Sequence, residues 1–239
     1  MGLAGALTLA IGPLAASAGG ARCWLDHGAV VVSAAYGAIA DDFVLDLSRP
    51  RSTLHDTVAQ AHDITGAAAR YPLRLAGEPL GVAEMDVANL DAKTRRFDTS
   101  IAGIIGLDVL ARFDIFLDLR HGDCRLQLIP ARGAPRTGIP SLGAELSDGR
   151  AVRRGLFAVD TGETSSQVVG SSLAQAPPEG GASVRLRAAV VSGALYEQVE
   201  AEPSYAAMAD GLQGALGTGI WSGGRLGIRG TEVRFRPGR

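Results

Sequence analysis

Two aspartates in matching sequence contexts are the residues of this chain best suited to chemistry. Asp46 follows the apolar run Phe43-Val-Leu, Asp160 follows Phe157-Ala-Val, and a small or polar turn comes after each. Two carboxyl groups within a few ångströms cannot both ionise easily, so they share one proton and titrate as a pair. One carboxylate then activates a water while the protonated one donates to a substrate carbonyl. Such a pair would hydrolyse peptides without a metal or a covalent intermediate.

A second landmark repeats downstream of each aspartate. Gly103-Ile-Ile-Gly106 stands in the first half of the chain and Gly214-Ala-Leu-Gly217 in the second. The distance from the aspartate to the last glycine is 60 residues in the first copy and 57 in the second. Two landmarks at nearly the same offset indicate a duplicated unit the size of a lobe. With one aspartate per lobe, we expect a shared site at a pseudo-two-fold axis.

The elements that must position these residues are short strands. Runs rich in β-branched and aromatic residues are separated by turn signals, and helical pattern is scarce. We predict an all-β, bilobal fold of two related β lobes with short helices. The predicted strands are residues 29–33, 42–46, 71–75, 113–118, 125–129, 156–160 and 184–191; the predicted helices are 52–61, 107–112 and 204–210.

The predicted domain organisation follows the repeat. Residues 1–22 are a signal peptide or a disordered N-terminus, and residues 23–130 form an N-terminal β lobe. Residues 131–140, rich in Pro and Gly, form a linker. Residues 141–239 form the C-terminal lobe. By position, 75–81 and 191–196 are candidate flaps over a substrate.

The second copy carries the motif Phe157-Ala-Val-Asp160-Thr161-Gly162, and its downstream glycine element ends at Gly217. Together they resemble the retropepsin-like and pepsin-like aspartic proteases, and Gly103-Ile-Ile-Gly106-Leu is similar to the bacterial retropepsin-like form. The resemblance implies an acid-protease-like fold with Asp46 and Asp160 as catalytic residues. It also implies a peptide or protein substrate and no cofactor.

The first lobe departs from the family pattern. Where the family has Asp-Thr-Gly, this chain has Asp46-Leu47-Ser48, so Leu47 cannot supply a hydroxyl bond across the lobes and Ser48 places a Cβ in the turn. Arg49 follows, and its counterpart in the second lobe is Glu163. Either the Arg49 guanidinium favours the ionised form of Asp46, or Arg49 and Glu163 pair across the axis.

The remaining motif residues have structural roles in our interpretation. We expect the Thr161 and Ser48 hydroxyls to bond to nearby backbone, and Gly162 to allow a tight turn with its N–H near the carboxylate. Gly106 and Gly217 are predicted to be packing glycines.

Composition narrows the function classes. The net charge of −2 and a pI near 6.1 give no reason to expect nucleic acid as a partner. The basic residues are all arginines except Lys93. The four histidines show no metal-type spacing, so no metal site is predicted.

The N-terminus and the two cysteines indicate in which cellular compartment the protein is located. Residues 1–18 carry no charge and end in Ala16-Ser17-Ala18, which fits a cleavage site and predicts export to the periplasm or the outside of the cell. A cytoplasmic location stays an alternative. After export, Cys23 and Cys124 could pair and close a loop of about 100 residues, whereas in the cytosol they would remain thiols.

Three hypotheses remain at this point. The first is a single-chain, monomeric aspartic endopeptidase. The second is a peptide-binding or scaffold protein on the same fold, without hydrolysis. The third is a homodimer in which two copies of the Asp160 lobe supply two intact Asp-Thr-Gly loops; the internal duplication argues against it.

Overall fold

A computed structural model describes residues 20–120, 123–170, 173, 183–204 and 211–238. Strands dominate, and the helices are short. In chain order the elements are β1 (Gly20–Asp26), β2 (Ala29–Tyr36), β3 (Ile39–Leu45), β4 (Thr53–His55), α1 (Asp56–Ala61), β5 (Ala68–Leu75), β6 (Glu78–Ala88), α2 (Asp91–Thr94), β7 (Ile101–Ile105), α3 (Leu107–Leu110), β8 (Phe113–Asp118), β9 (Cys124–Pro130), β10 (Ser141–Ser147), β11 (Val152–Val159), β12 (Ser166–Val169), β13 (Val184–Val191), β14 (Ala194–Ser204), β15 (Gly214–Leu216), α4 (Thr218–Trp221), β16 (Arg225–Arg229) and β17 (Glu232–Arg236).

Two six-stranded barrels repeat the same topology. The first runs β2-β3-β7-β4-β6-β5 and closes through the pairing of β5 with β2; the second runs β10-β11-β15-β12-β14-β13. Strand directions also match, because β3–β7 and β11–β15 are parallel, as are β4–β6 and β12–β14. The all-β, two-lobed fold is therefore confirmed, and the repeat extends to individual strand pairs.

The remaining strands join the barrels. They form the order β17-β16-β8-β9-β1, and β1 also pairs with β2 of the first barrel. The β8–β16 pairing unites a strand from each half of the sequence. The hairpin predicted over 113–129 is present as β8 and β9, while its turn at 121–122 lies outside the described residues.

Some local predictions need correction. Residues 53–55 of the predicted helix 52–61 form β4, because Thr53 and Leu54 bond to β6 and β7 and this pairing overrides the helical pattern. The helix starts only at Asp56, after the cap at His55. The helix predicted over 107–112 is α3. Ser204 ends β14, and the rest of the helix predicted to follow it, 205–210, lies outside the described residues.

The predicted N-terminal segment 1–22 also ends earlier in the structure than the sequence predicts. Residues 1–19 lie outside the described part of the chain, but residues 20–22 belong to β1, where buried Ala21 pairs with Leu126 of β9. The folded lobe thus begins before residue 23. None of the described helices is long and apolar enough to span a membrane.

A disulfide joins Cys23 on β1 to Cys124 on β9. The two residues are register partners with a Cα–Cα distance of 4.9 Å, and they are separated by 101 residues in sequence. Both lie in the buried face of the connecting sheet. The disulfide therefore links the first strand of the N-terminal half of the chain to the last strand of that half.

Replacing both cysteines with alanine should lower the free energy of unfolding by roughly 2–5 kcal/mol, because the unfolded chain gains the freedom of a long loop. Urea unfolding under non-reducing conditions measures this difference. Reductant should destabilise the wild type to a similar degree and leave the double variant unchanged. Equal stability of the two proteins without reductant would contradict the role of the bond.

Candidate functional site

Both aspartates stand at the carboxyl end of equivalent strands. Asp46 directly follows β3, and its N–H donates to the Ile105 carbonyl at the end of β7, at 3.0 Å. Asp160 directly follows β11, and its N–H donates to the Leu216 carbonyl at the end of β15, also at 3.0 Å. The parallel partner strand thus fixes the backbone of each aspartate in the same way.

The two glycine elements pack behind the aspartate turns. Gly106 N–H donates to Ser52 Oγ at 2.9 Å, and Gly217 N–H donates to Ser166 Oγ at 3.2 Å. A Cβ added to Gly106 would lie 2.8 Å from a backbone carbonyl oxygen, and one added to Gly217 would lie 2.4 Å from one. Both glycines are needed for close packing. Ser52 and Ser166 were not singled out from the sequence, although each follows its aspartate by six residues.

The aspartate side chains are buried and bonded within their own turns. Asp46 is 2% exposed and Asp160 is 3% exposed. Asp46 Oδ1 accepts the N–H and the hydroxyl of Ser48, at 3.0 and 2.7 Å. Asp160 Oδ1 accepts the N–H of Gly162 at 2.8 Å. Each carboxyl group is therefore oriented by the residue two positions later.

The two carboxyl groups share one site. Asp46 lies against the second lobe, since a Cβ added to Gly162 would lie 2.8 Å from Asp46 Oδ2. Burial raises the pKa of Asp160 to about 7, and the charge of Asp46 adds to that rise. The Gly162 N–H and the charge of Lys93 oppose the rise. The balance of these effects favours the protonated form of the Asp160 carboxyl group, compared with an ordinary aspartate.

Thr161 links the two lobes next to the carboxyl groups. Its hydroxyl donates to the Leu45 carbonyl at 2.7 Å and accepts the Leu47 N–H at 3.2 Å. Its own carbonyl accepts the Val30 N–H at 2.8 Å. Leu47, at the equivalent position of the first lobe, is buried among apolar side chains. The hydroxyl bond is therefore one-sided, as the Leu47 substitution predicts.

The Ser48 hydroxyl donates to the Asp46 side chain rather than to the backbone, contrary to our expectation. Ser48 does not lie in the left-handed region of φ, and its hydroxyl adds a bond to Asp46 that a glycine could not make. Gly162 differs because the Asp46 carboxyl group occupies the space beside its Cα. The motif is thus asymmetric for a steric reason.

The predicted pairing of Arg49 with Glu163 is wrong, and the predicted effect of the Arg49 charge on Asp46 stays a prediction. Glu163 pairs with Lys93 and Arg96, and within the described part of the chain no ion pair involves the Arg49 side chain. The pKa of Asp86 on β6 is lowered, chiefly by a hydrogen bond from Arg51 and to a smaller extent by the charge of Arg49. The backbone groups of Arg49 and Glu163 are nevertheless equivalent in the two lobes. The Arg49 carbonyl accepts the Leu107 N–H and the Glu163 carbonyl accepts the Thr218 N–H, each at 2.8 Å.

Lys93 supplies a cation at the site, and we did not predict it as a site residue. It lies on α2, between β6 and β7, and its Nζ donates to Asp46 Oδ2 at 3.2 Å. The same ammonium is 3.3 Å from Glu163 Oε1. The one available sequence signal was its type, because Lys93 is the single lysine among 23 basic residues.

Arg96 extends this contact into the second lobe. Its guanidinium pairs with the Glu163 carboxylate and donates to the Gly162 carbonyl at 2.8 Å. The guanidinium also stacks over the Phe97 ring, 4.9 Å from its centre. The segment 89–100 of the first lobe therefore reaches over the Asp-Thr-Gly turn of the second.

The hairpins predicted as flaps belong to the two barrels. In the first lobe, the turn at Ala76 and Gly77 lines a cavity with Asp41 and Asp42, at the end of β3 away from Asp46. Strand β5 closes the first barrel on β2, and β13 closes the second on β10. Both hairpins are part of the barrel walls, and their role as flaps stays a prediction. Segment 89–100 of the first lobe contacts Asp46 through Lys93.

A group of side chains with metal-ligand atoms lies apart from Asp46 and Asp160. Asp26, His27 and Asp98 bring ligand-type atoms within 4.8 Å of one another. The Asp26 carboxylate already accepts the N–H groups of Asp98 and Thr99, at 3.2 and 3.1 Å. These bonds explain the burial of Asp26 without an ion, and the cluster anchors segment 89–100 to β1.

The structural comparison includes a distant likeness to a protease, whereas the two sequence comparisons find nothing. No model of a known protein family matches the chain, and no curated protein matches it. A crystal structure of a retropepsin-like aspartic protease from Rickettsia conorii is 15% identical, with a TM-score of 0.35. The match covers 48% of this chain and 93% of that one. The fold assignment above stands on the strand pairing of the two barrels.

Changing Thr161 to valine should lower the free energy of unfolding by roughly 1–3 kcal/mol, because the buried Leu45 carbonyl and Leu47 N–H lose their partner. Urea unfolding measures the change. Thr231→Val, at an exposed turn position, is the matched control and should differ from the wild type by less than about 0.5 kcal/mol. A Thr161 variant as stable as this control would contradict the cross-lobe bond.

Proposed function

We propose that this chain is an aspartic-type endopeptidase in which Asp46 and Asp160 activate a water for attack on a peptide bond. The observation that carries the proposal is the burial of both carboxyl groups at equivalent strand ends of two related barrels, with Asp46 against Gly162. A buried acid with a pKa raised to about 7 is suited to donate a proton.

The proposed reaction moves two protons through the dyad. Asp46, as carboxylate, takes a proton from water while the water oxygen bonds to the peptide carbonyl carbon, and Asp160 gives its proton to the carbonyl oxygen. The tetrahedral intermediate then breaks its C–N bond as Asp46 returns its proton to the nitrogen. Asp160 recovers a proton from the intermediate, so both side chains end as they began.

The substrate class and the working unit follow from where the site lies. Both barrels contribute backbone and side chains to it, so we propose an extended peptide or protein segment bound between them. Because one chain supplies both carboxyl groups, the proposed working form is a monomer. No nucleic acid is required by this chemistry.

We also propose that the protein is exported. The Cys23–Cys124 disulfide supports this, because disulfides persist in oxidising compartments and are rare in the cytosol. The uncharged segment 1–18 supports it independently.

A second candidate function is peptide binding without hydrolysis. It is favoured by the contact of Lys93 Nζ with Asp46 Oδ2, which engages the carboxylate oxygen that a water would need. A protein of this kind would bind extended peptides between the barrels and release them intact.

Asp46→Asn and Asp160→Asn should each reduce peptide cleavage by at least about 100-fold, since each removes a proton acceptor or donor in the transition state. The assay follows cleavage of a diverse peptide pool by mass spectrometry between pH 4 and pH 8. Asp63→Asn is the matched control and should retain full activity, because Asp63 is exposed and asparagine tolerates its positive φ.

Three other outcomes would each contradict the proposal. If the wild type folds but cleaves nothing, the binding function is favoured. If only Asp160 is needed, a homodimer of second lobes becomes the better explanation. Cleavage that persists in both variants would place the activity elsewhere.

A further inference from the structure

The charges around the dyad are unevenly distributed. Three carboxyl groups and two cations meet there: Asp46, Asp160, Glu163, Lys93 and Arg96. Lys93 contacts Asp46 and Glu163, and Arg96 contacts Glu163. Within the described residues no cation contacts the Asp160 carboxyl group, whose one hydrogen bond comes from the Gly162 N–H.

Charge balance then separates the two aspartates. Two cations neutralise two carboxylates, so the cluster is neutral when Asp46 and Glu163 are ionised and Asp160 carries a proton. A second charge on Asp160, which is 3% exposed, would be buried without a counter-ion. The contacts thus favour one of the two ways to place a single proton on the pair.

We propose that Lys93 is a positioning residue that keeps Asp46 as the carboxylate and assigns the proton of the pair to Asp160. The inference rests on the proposed function, because it names which aspartate acts as base and which as acid in that reaction. Lys93 acts through Asp46 and does not itself exchange a proton with the substrate.

The Lys93 charge is held in place by its surroundings. Helix α2 is attached to the end of β4 by the contact of Asp91 with His55 Nε2, at 3.3 Å. Farther along the segment, Arg96 is bound to Glu163, and Asp26 binds the backbone at Asp98. A cation fixed at both ends of its segment acts as a permanent part of the site rather than as a mobile cover.

The sign of the pH effect follows from the groups that face Asp160. Asp46 and Glu163 raise its pKa together with burial, whereas Lys93 and the Gly162 N–H lower it. Removing the Lys93 charge should therefore raise the pKa of Asp160. Because activity needs protonated Asp160, the loss of activity at high pH should move to higher pH.

The test compares Lys93→Met with Lys93→Arg, which retains a positive charge. The carboxyl group of Asp160 is titrated by ¹³C NMR, and peptide cleavage is followed over the same pH range. Arg95→Met is the matched control, because it also removes a cation from this short segment. Arg95 is 80% exposed and pairs with Asp91 alone among the described residues.

In Lys93→Met we expect both the Asp160 titration and the alkaline fall of activity to move up by roughly 1 pH unit. Lys93→Arg should restore the wild-type titration, and Arg95→Met should leave it unchanged. A Lys93→Met protein whose stability or rate falls while the Asp160 titration stays in place would overturn the inference, since a structural role alone gives that result.

The two proposals fail separately in this design. The NMR titration needs no catalysis, so a shift in Lys93→Met without any cleavage by the wild type supports the charge assignment and rejects the endopeptidase. Cleavage by the wild type with an unchanged Asp160 titration in Lys93→Met supports the endopeptidase and rejects the charge assignment. If Lys93→Met does not fold, Lys93→Gln is judged by the same criteria.

Discussion

Two carboxyl groups buried at one place are the constraint on which the rest of this structure depends. Asp46 and Asp160 are almost fully excluded from water, and a buried charge is costly unless it is bonded and paired. The turn amides, the Ser48 hydroxyl and the Lys93 ammonium satisfy Asp46 and its partner. The barrels, the connecting sheet and segment 89–100 keep these donors in position.

The duplication explains both the likeness and the difference of the halves. Backbone bonds are repeated closely, as in the pairing of each aspartate N–H with the end of a parallel strand. Side chains have diverged, because Leu47 replaces a hydroxyl and Ser48 replaces a glycine. The first half supplies Asp46 with its contact to Lys93, and the second supplies Asp160 and the cross-lobe hydroxyl of Thr161. A shared frame with unequal side chains gives the two carboxyl groups unequal surroundings.

The sequence predicted the frame better than the site. Repeated apolar runs and glycine elements indicate related strands. Such strands can be predicted because they depend on local residue pattern and spacing. Lys93 could not be placed beside Asp46, because 47 residues separate them and only the path of segment 89–100 brings them together. The helix predicted at Thr53 is wrong for a similar reason, since the partner strands β6 and β7 come later in the chain. The flap positions stay predictions, because the place of a hairpin relative to a substrate is a long-range property.

The most direct test of a single coupled site is the ¹³C titration of the Asp160 carboxyl group in the wild type and in Asp46→Asn. The charge of Asp46 raises the pKa of Asp160, so its removal should lower that pKa by roughly 1 unit or more. An Asp160 titration that is identical in the two proteins would show that the carboxyl groups do not share a site, and the proposed dyad would be rejected.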